Sequence, residues 1–443
     1  MSIQAQILLA LASVAALLGL MAVVRWLAQK VGLSAEVQRK LMHVGTGLFT
    51  LVLPWIFPER WPIYMLIGVT LIVMLILRLP RFSQGLGATL HSVERTSYGD
   101  FLLALSVGLC LLLAGENTLY YVLPIAVLTL ADAAAALAGT TYGTKRYVVE
   151  DGEKSLEGSV VFFVVTLLVA IICFLFSSKL PPSNIMMLCL MVAAFGTLVE
   201  AQSWRGFDNL FLPLGLLIFL KVHYYSSLAE LALLAILFFA ALASFGVVGT
   251  KLGLTKHTTR VYVVAVFLLL ATAKLQNTVL PIMVLAAHGW ARTASPCDSK
   301  FPDLDIVAAL GLIGFGWLAA GNATGWDAIS FFGLSAMGLA MGLTAVALRA
   351  IPIAIPIAAA VLFLIRTWAV SLNSVQSNWA EPLTALSLVS LAFMAIVPLV
   401  LPHLLQKNRV SRLTLLALLP PLAYYIWSVA GSIDGGIVAG VVS

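Results

Sequence analysis

The residues best suited to chemistry lie between Ala131 and Ser159, in the stretch ADAAAALAGTTYGTKRYVVEDGEKSLEGS. Asp132 stands inside an apolar run that opens at Leu119, and a carboxylate at the centre of a membrane helix costs about 2.5–3.5 kcal/mol. A structural role would pair it with a buried cation or hydroxyl, but within a membrane span function is the default interpretation. Glycines, lysines and a serine follow, the order expected of a site that holds a metal ion and a polyphosphate.

The segment after Asp132 combines flexible backbone, positive charge and a hydroxyl. Its candidate nucleotide-binding residues are Gly139, Gly143, Lys145, Lys154, Ser155, Glu157 and Gly158. Ser155 is placed as a helix N-cap, and we expect Ser155 and the Gly158 amide to bind phosphate, because amides at a helix start favour anions. Acidic neighbours such as Glu157 would repel a bare triphosphate, so a divalent cation is implied. The GxxxxGK(S/T) spacing is missing from this stretch, which excludes a P-loop.

A second candidate group lies in EVQRKLMHVGTG, residues 36–47. On a helix, Glu36, Lys40 and His43 share a face at spacings of four and three, and Arg39 lies beside them. A basic cluster at the entrance of a membrane helix predicts phosphate binding. The alternatives are a surface anchor for Arg39 and Lys40 and a packing role for His43.

A third candidate group lies in VEAQSWRGFDN, residues 199–209. Glu200 ends one apolar run, and Asp208 and Asn209 begin the next, where either could simply cap a helix. Asp132, Glu200 and Asp208 at one membrane face predict a magnesium site and the catalytic carboxylates, because magnesium uses one or two carboxylates together with substrate phosphates.

Two further polar segments carry weaker signals. HSVERTSYGD, residues 91–100, is either a lid with a phosphate contact or a solvated loop before a helix that starts at Asp100. In SPCDSKFPDLD, residues 295–305, no cation, glycine and hydroxyl pattern accompanies the acids, so a solvated loop is predicted for Asp298, Asp303 and Asp305, and no second site is assigned to His288.

Composition places these groups in a membrane. Hydrophobic residues make up 61% of the 443-residue chain and charged residues 10%, against about 25% charged in soluble domains; the mean hydropathy is +1.05. Continuous apolar runs predict an all-α, polytopic transmembrane bundle of about sixteen helices. Eight runs lie in the first half, at 4–27, 42–57, 61–78, 100–114, 119–139, 158–177, 185–200 and 208–223.

The second half contributes about eight more predicted helices. Its runs lie at 227–249, 261–273, 279–291, 306–320, 328–347, 351–371, 383–401 and 413–431. We therefore predict a catalytic domain at 1–225 and an additional membrane domain of unknown role at 226–443. The basic loops fall on alternate connections, so the candidate site is predicted to be cytoplasmic and both termini non-cytoplasmic. The same pattern explains the net charge of +6 without a nucleic-acid partner.

The three groups together resemble a known family. RKLMHVGTG is similar to the amino-terminal motif of phytol kinases, ADAAAALAGTTYG followed by KSLEGS resembles the nucleotide-binding signature shared by phytol kinases, dolichol kinases and phosphatidate cytidylyltransferases, and VEAQSWRGFDNLFLPL resembles their carboxy-terminal motif. The resemblance covers about residues 36–215 and implies a CTP-dependent, magnesium-requiring enzyme that acts on a lipid. Ala131 stands where the signature usually has glycine.

The resemblance favours a kinase that passes the terminal phosphoryl group of CTP to an isoprenoid alcohol. In this interpretation Asp132 and Asp208 hold magnesium, and Glu200 is a further ligand or the base. Arg39, Lys145 and Lys154 neutralise phosphates. The expected partners are a lipid alcohol, the nucleotide and the bilayer, with a homo-oligomer left open. Two alternatives remain: synthesis of a CDP-lipid at the same nucleotide site, and a membrane transporter, which predicts carboxylates at mid-membrane and discontinuous helices in both halves.

Overall fold

The computed structural model describes residues 2–77, 98–149, 152–251, 253–326, 328–373 and 383–432. Within them the chain has sixteen α-helices and one two-stranded sheet. Nine helical stretches of these residues are long and apolar enough to cross a membrane. The predicted fold class, an all-α polytopic membrane bundle, is confirmed. The chain forms two compact units, Met1–Ala240 and Ala241–Val441; the functional domains at 1–225 and 226–443 stay a prediction.

The first unit contains nine helices, a hairpin and most of a tenth helix. In chain order they are α1 (Ile3–Val31), α2 (Ala35–Ile56), α3 (Trp61–Leu77), α4 (Gly99–Ala114), α5 (Thr118–Ala126), a π-helical segment (Val127–Ala131), α6 (Asp132–Tyr142), β1 (Arg146–Val149), β2 (Gly152–Ser155), α7 (Leu156–Ser177), α8 (Pro182–Ala201), α9 (Asp208–His223) and α10 (Leu228–Lys251). Its core is built on α5, the π-helical segment and α9, whose residues from Leu210 to Leu220 are almost all buried.

Two local differences from the predicted runs matter for the site. Helix α2 begins at Ala35 instead of 42, because the Ser34 hydroxyl caps it by accepting a hydrogen bond from the Val37 amide at 3.3 Å. Arg39, Lys40 and His43 are therefore all on one helix. The charged segment after α6, predicted as a loop, contains the antiparallel hairpin β1–β2, in which Tyr147 pairs with Lys154.

The second unit is made of the end of α10 and six further helices. They are α11 (Lys256–Ala294), α12 (Pro302–Thr324), α13 (Ile329–Ala347), α14 (Ile355–Ser371), α15 (Thr384–Val400) and α16 (Arg409–Ser432). Helix α13 forms the centre, with every residue from Ser330 to Val346 buried. Such a helix, apolar on all sides, is typical of a bundle core.

Helix α11 joins two predicted runs, 261–273 and 279–291, into one 39-residue helix. The polar interval between them was predicted as a connection, and this was wrong because the interval contains no helix-breaking residue. Asn277 bonds back to the Ala273 carbonyl at 2.8 Å, as a helical side chain can.

Candidate active site

Asp132 forms a buried ion pair with Lys40 in the first unit. The Lys40 ammonium donates to Asp132 Oδ2 at 2.7 Å, and the two side chains are 5% and 12% exposed. The pair joins the first turns of α2 to the first turn of α6. Lys40 is thus buried against a carboxylate, so the surface-anchor interpretation is wrong for this residue, whereas Arg39 beside it is exposed.

The π-helical segment leads directly into Asp132. A π-helical turn is rare and often occurs at functional sites. The His43 imidazole reaches this segment from α2: its Nε2 lies 3.1 Å from the Leu128 carbonyl oxygen and 3.4 Å from Asp132 Oδ2. Gly47 packs so closely on the segment that a Cβ there would lie 2.2 Å from Thr129 Oγ1. One face of α2 therefore contacts the segment and the carboxylate together.

Lys154 forms a second ion pair, which is partly buried. Its ammonium donates to Glu200 Oε1 at 2.7 Å, to the Glu200 carbonyl and to Ser203 Oγ at 2.7 Å. The side chains of Lys154 and Glu200 are 21% and 12% exposed. Burial by itself would lower the pKa of Lys154, but the carboxylates of Glu200 and Asp208 outweigh it and hold this pKa above its usual range. The lysine is therefore charged at neutral pH.

The two ion pairs lie within electrostatic range of each other. The Lys154 charge acts on Asp132, and the Asp132 charge acts on Glu200. Asp208, in the first turn of α9, acts on both Lys154 and Glu200. Residues from α2, α6, the hairpin, α8 and α9 thus form one charged cluster.

The glycines and Ser155 serve mainly to pack α6 against the start of α7. A Cβ on Gly139 would lie 2.7 Å from Ser155 Oγ, one on Gly143 2.2 Å from the Gly139 carbonyl, and one on Gly158 2.9 Å from the Ser155 hydroxyl. Ser155 caps α7 as predicted, by accepting from the Gly158 amide at 3.0 Å. Because this bond occupies the amide, the predicted phosphate cradle of Ser155 and Gly158 is not open in this structure.

Glu157 and Lys145 also have local roles. The Glu157 carboxylate accepts from the backbone amides of Thr144 and Lys145, each at 3.1 Å, and from the Thr144 hydroxyl at 2.5 Å. It therefore closes the turn between α6 and the hairpin. The Lys145 side chain itself is exposed, so it can meet a ligand from the solvent side.

Asn209 ties α9 to α4. Its amide donates to the Gly99 carbonyl at 2.9 Å, and the Tyr98 amide donates to the Arg205 carbonyl at 3.0 Å. Asn209 therefore holds the segment that carries Asp208 in place. The predicted contacts of His91, Glu94 and Arg95, and the side chain of Glu36, lie outside the described residues.

The predicted three-carboxylate magnesium set is not assembled as such. Among the described residues, no three metal-ligating side chains converge, because Asp132 is taken up by Lys40 and Glu200 by Lys154. The donor chemistry still suits a hard cation, since magnesium needs only one or two carboxylates when phosphates supply the rest. Ser203 was missed by the prediction; its signal is a hydroxyl three residues beyond Glu200, just past the end of α8.

The second unit holds a different buried ion pair. Asp303, in the first turn of α12, accepts from His288 at 2.9 Å and from Arg292. The His288 side chain is only 4% exposed. The solvated-loop prediction is therefore wrong for Asp303, because α12 begins at Pro302 and turns this carboxylate inward. Asp305 accepts from the Ser299 hydroxyl at 2.7 Å within the same connection.

Comparison with known proteins bears on this site. No family model matches the chain, and no solved structure matches it. A curated protein, the phytol kinase of Synechocystis sp., is 32% identical to it over 187 residues, which cover 41% of this chain and 76% of that protein.

Fold and site together define a multi-pass helical membrane protein with a charged cluster buried among apolar helices. The similarity then fixes the relationship: the chain belongs to the phytol kinase family. The family predicted from the motifs is thereby confirmed.

Proposed function

We propose that the protein is a CTP-dependent kinase that phosphorylates an isoprenoid alcohol at the cytoplasmic face of the membrane. The observation that carries this proposal is the cluster of Lys40, Asp132, Lys154 and Glu200. Lys40 and Asp132 are buried, and Lys154 and Glu200 are partly buried, in a unit otherwise built of apolar helices. The name of the Synechocystis relative supports the choice of acceptor.

The lysines would bind the nucleotide by exchanging partners. In this structure each ammonium is neutralised by a carboxylate; phosphate oxygens can take over that role, because they offer the same charge and better access to several donors. Lys145 and Arg39, both exposed, would add positive charge at the outer side of the cluster. The exchange would free Asp132 and Glu200.

The freed Asp132, with Asp208 beside it, would hold Mg²⁺, which would neutralise charge on the phosphates when bound, and the freed Glu200 would serve as the base. The alcohol oxygen forms a bond to the γ-phosphorus, and the bond from that phosphorus to the β-bridging oxygen breaks. CDP leaves, and the hydroxyl proton passes to Glu200. Such a transfer depends chiefly on positioning and charge stabilisation.

The cytoplasmic placement follows from the first half of the chain. Its basic connections, which carry the residues of the cluster, alternate with short connections that hold few cations, as the positive-inside rule requires. An amino terminus on the opposite side follows from the same count. The carboxyl terminus is proposed to lie on that side too, because basic connections continue to alternate through the predicted runs of the second half.

Labelled CTP tests the proposal. Purified protein in lipid, supplied with magnesium, should transfer the γ-label of CTP to one or more of phytol, farnesol, geranylgeraniol and dolichol. Lys154→Met should lower the rate about 100-fold, because it removes a charge that stabilises the transferred group. Lys179→Met, at an exposed lysine between α7 and α8, is the matched control and should leave the rate unchanged.

Other labelling outcomes would contradict the proposal. An α-label in the lipid would identify nucleotidyl transfer. Absence of any nucleotide turnover with every lipid alcohol, in protein that remains folded, would favour the transporter.

A further inference from the structure

We propose that His43 is a positioning residue: it donates its Nε2–H to the Leu128 carbonyl and so holds the π-helical segment in the form that directs Asp132 at Lys40. It does not accept the proton of the reaction. This inference goes beyond the proposed function and rests on it only for its kinetic assay.

The hydrogen bond determines which ring nitrogen of His43 carries a proton. A backbone carbonyl can only accept, so the 3.1 Å contact between Nε2 and the Leu128 oxygen requires a hydrogen on Nε2. Asp132 Oδ2, 3.4 Å from the same nitrogen, is a second acceptor on that side. The nitrogen that faces the cluster is therefore already protonated, and it cannot take up the hydroxyl proton.

The π-helical segment needs such support. From Val127 to Ala131 the helix is wound more widely than an α-helix, with poorer internal pairing of its carbonyls. Conversion of this segment to α-helical winding would rotate the residues after it by about 100° about the helix axis. That rotation would carry Asp132 away from Lys40.

Gly47 supports the same segment independently. A Cβ at this position would lie 2.2, 2.5 and 2.8 Å from Oγ1, Cγ2 and Cβ of Thr129, so no rotation of Thr129 would relieve the overlap. Lys40, His43 and Gly47 follow one another at spacings of three and four, which places them on one face of α2. That face contacts Asp132, Leu128 and Thr129 in turn, and it acts as a template for the wide turn.

Two substitutions of His43 separate positioning from proton transfer. A glutamine amide places an N–H near the position of Nε2, whereas an asparagine amide is too short to reach Leu128. We expect His43→Gln to keep kcat within about threefold of the wild type, and His43→Asn and His43→Ala to lower kcat by about 10–100-fold, as loss of an orienting partner does. KM for the alcohol should change little. If kcat of His43→Gln falls as far as kcat of His43→Ala, the positioning role is wrong.

A glycine pair provides the second comparison. Gly47→Ala should lower kcat by about 10–100-fold, because it displaces the segment that orients Asp132. Gly68→Ala, in α3, has open space around the added methyl group and should leave kcat unchanged. Equal activity of the two variants would contradict the template.

The tautomer of His43 can be determined without an activity assay. The chain has six histidines, and a nitrogen spectrum of ¹⁵N-histidine-labelled protein, compared with that of His43→Gln, isolates the signals of His43. We expect Nε2 of His43 to carry a proton. An Nε2 without a proton would overturn the inference. A wild-type protein that transfers no phosphate would refute the proposed function but leave this spectral test intact.

Discussion

The two units of the chain form their ion pairs in different ways. In the first unit, Lys40 and Asp132 are 92 residues apart, and Lys154 and Glu200 are 46 apart. In the second unit, Asp303 meets His288 and Arg292 only 15 and 11 residues away. A short-range ion pair fastens one helix connection and closes a short loop at little entropic cost. The long-range pairs require the whole first unit to be assembled.

This difference indicates where function lies. A buried ion pair rarely stabilises a protein more than apolar residues of the same volume would. Two such pairs, brought together from four elements within a membrane protein, are therefore better explained by what they bind than by stability. The local pair around Asp303 has a sufficient explanation in the junction of α11 and α12.

The largest expected effect concerns the two aspartates. Asp132→Asn should lower phosphoryl transfer by about 1,000-fold, because the cluster loses a charged ligand at its centre. Asp303→Asn should stay within about twofold of the wild type, since its effect is confined to a helix junction. Initial rates with labelled CTP measure both. Similar losses in the two variants would show that the comparison between the units is wrong.

Stability should follow the same division. Lys40→Met leaves Asp132 buried without its cation and should lower the free energy of unfolding by about 3–5 kcal/mol. The double variant Lys40→Met with Asp132→Leu should recover most of this loss, because neither charge remains. Denaturant titration in mixed micelles measures both values. A double variant as unstable as the single one would mean that the pair itself stabilises the first unit.

A smaller loss is expected in the second unit. Asp303→Asn weakens the bonds from His288 and Arg292, and Arg292 is partly exposed, so water can replace its partner. The free energy of unfolding should fall by about 1–2 kcal/mol. Asp298→Asn is the control and should have almost no effect, because the Asp298 bond to Gln406 is made by its backbone amide, which donates to the Gln406 carbonyl. A loss as large as that of Lys40→Met would remove the energetic distinction between the units.

The smallest expected effect is an increase in the free energy of unfolding. Thr129 Oγ1 is buried and has no hydrogen-bond partner within the described residues. Thr129→Val keeps the shape of the side chain and removes this unpaired hydroxyl, so stability should rise by about 1 kcal/mol. Thr50→Val is the matched comparison and should lower stability, because the Thr50 hydroxyl donates to the Gly47 carbonyl at 2.8 Å. If Thr129→Val instead lowers the free energy of unfolding, the Thr129 hydroxyl forms a hydrogen bond when the protein is in the membrane.

Apolar periodicity and length were sufficient to predict the helices of the first unit, because membrane spans are set by hydropathy over many residues. The gathering of Asp132, Lys154 and Glu200 followed from the sidedness of their connections. The ion-pair partners of these residues could not be predicted from the sequence, because ion pairing depends on how each helix is rotated about its axis. Lys40 could equally have faced lipid headgroups, and only the wide turn before α6 determines that it meets Asp132.

Two errors have local causes. The π-helical segment has no sequence rule comparable to a cap or a proline, since Val127–Ala131 reads as ordinary apolar helix. The bond between Ser155 and the Gly158 amide was foreseen as a cap, yet the same amide was also assigned to phosphate. The Gly158 amide has a single N–H, and in this structure it donates to the Ser155 hydroxyl that caps the helix.

The hairpin β1–β2 limits how this region can change during evolution. Lys154 stands opposite Tyr147, and successive residues of a strand point to opposite faces, so a one-residue slip would turn Lys154 away from Glu200. Substitutions at exposed strand positions such as Val148 should be freely accepted. Single-residue insertions or deletions between Arg146 and Ser155 should not be accepted, because they change the register of the strand pairing. We therefore expect the length of this segment to be more constrained than its composition.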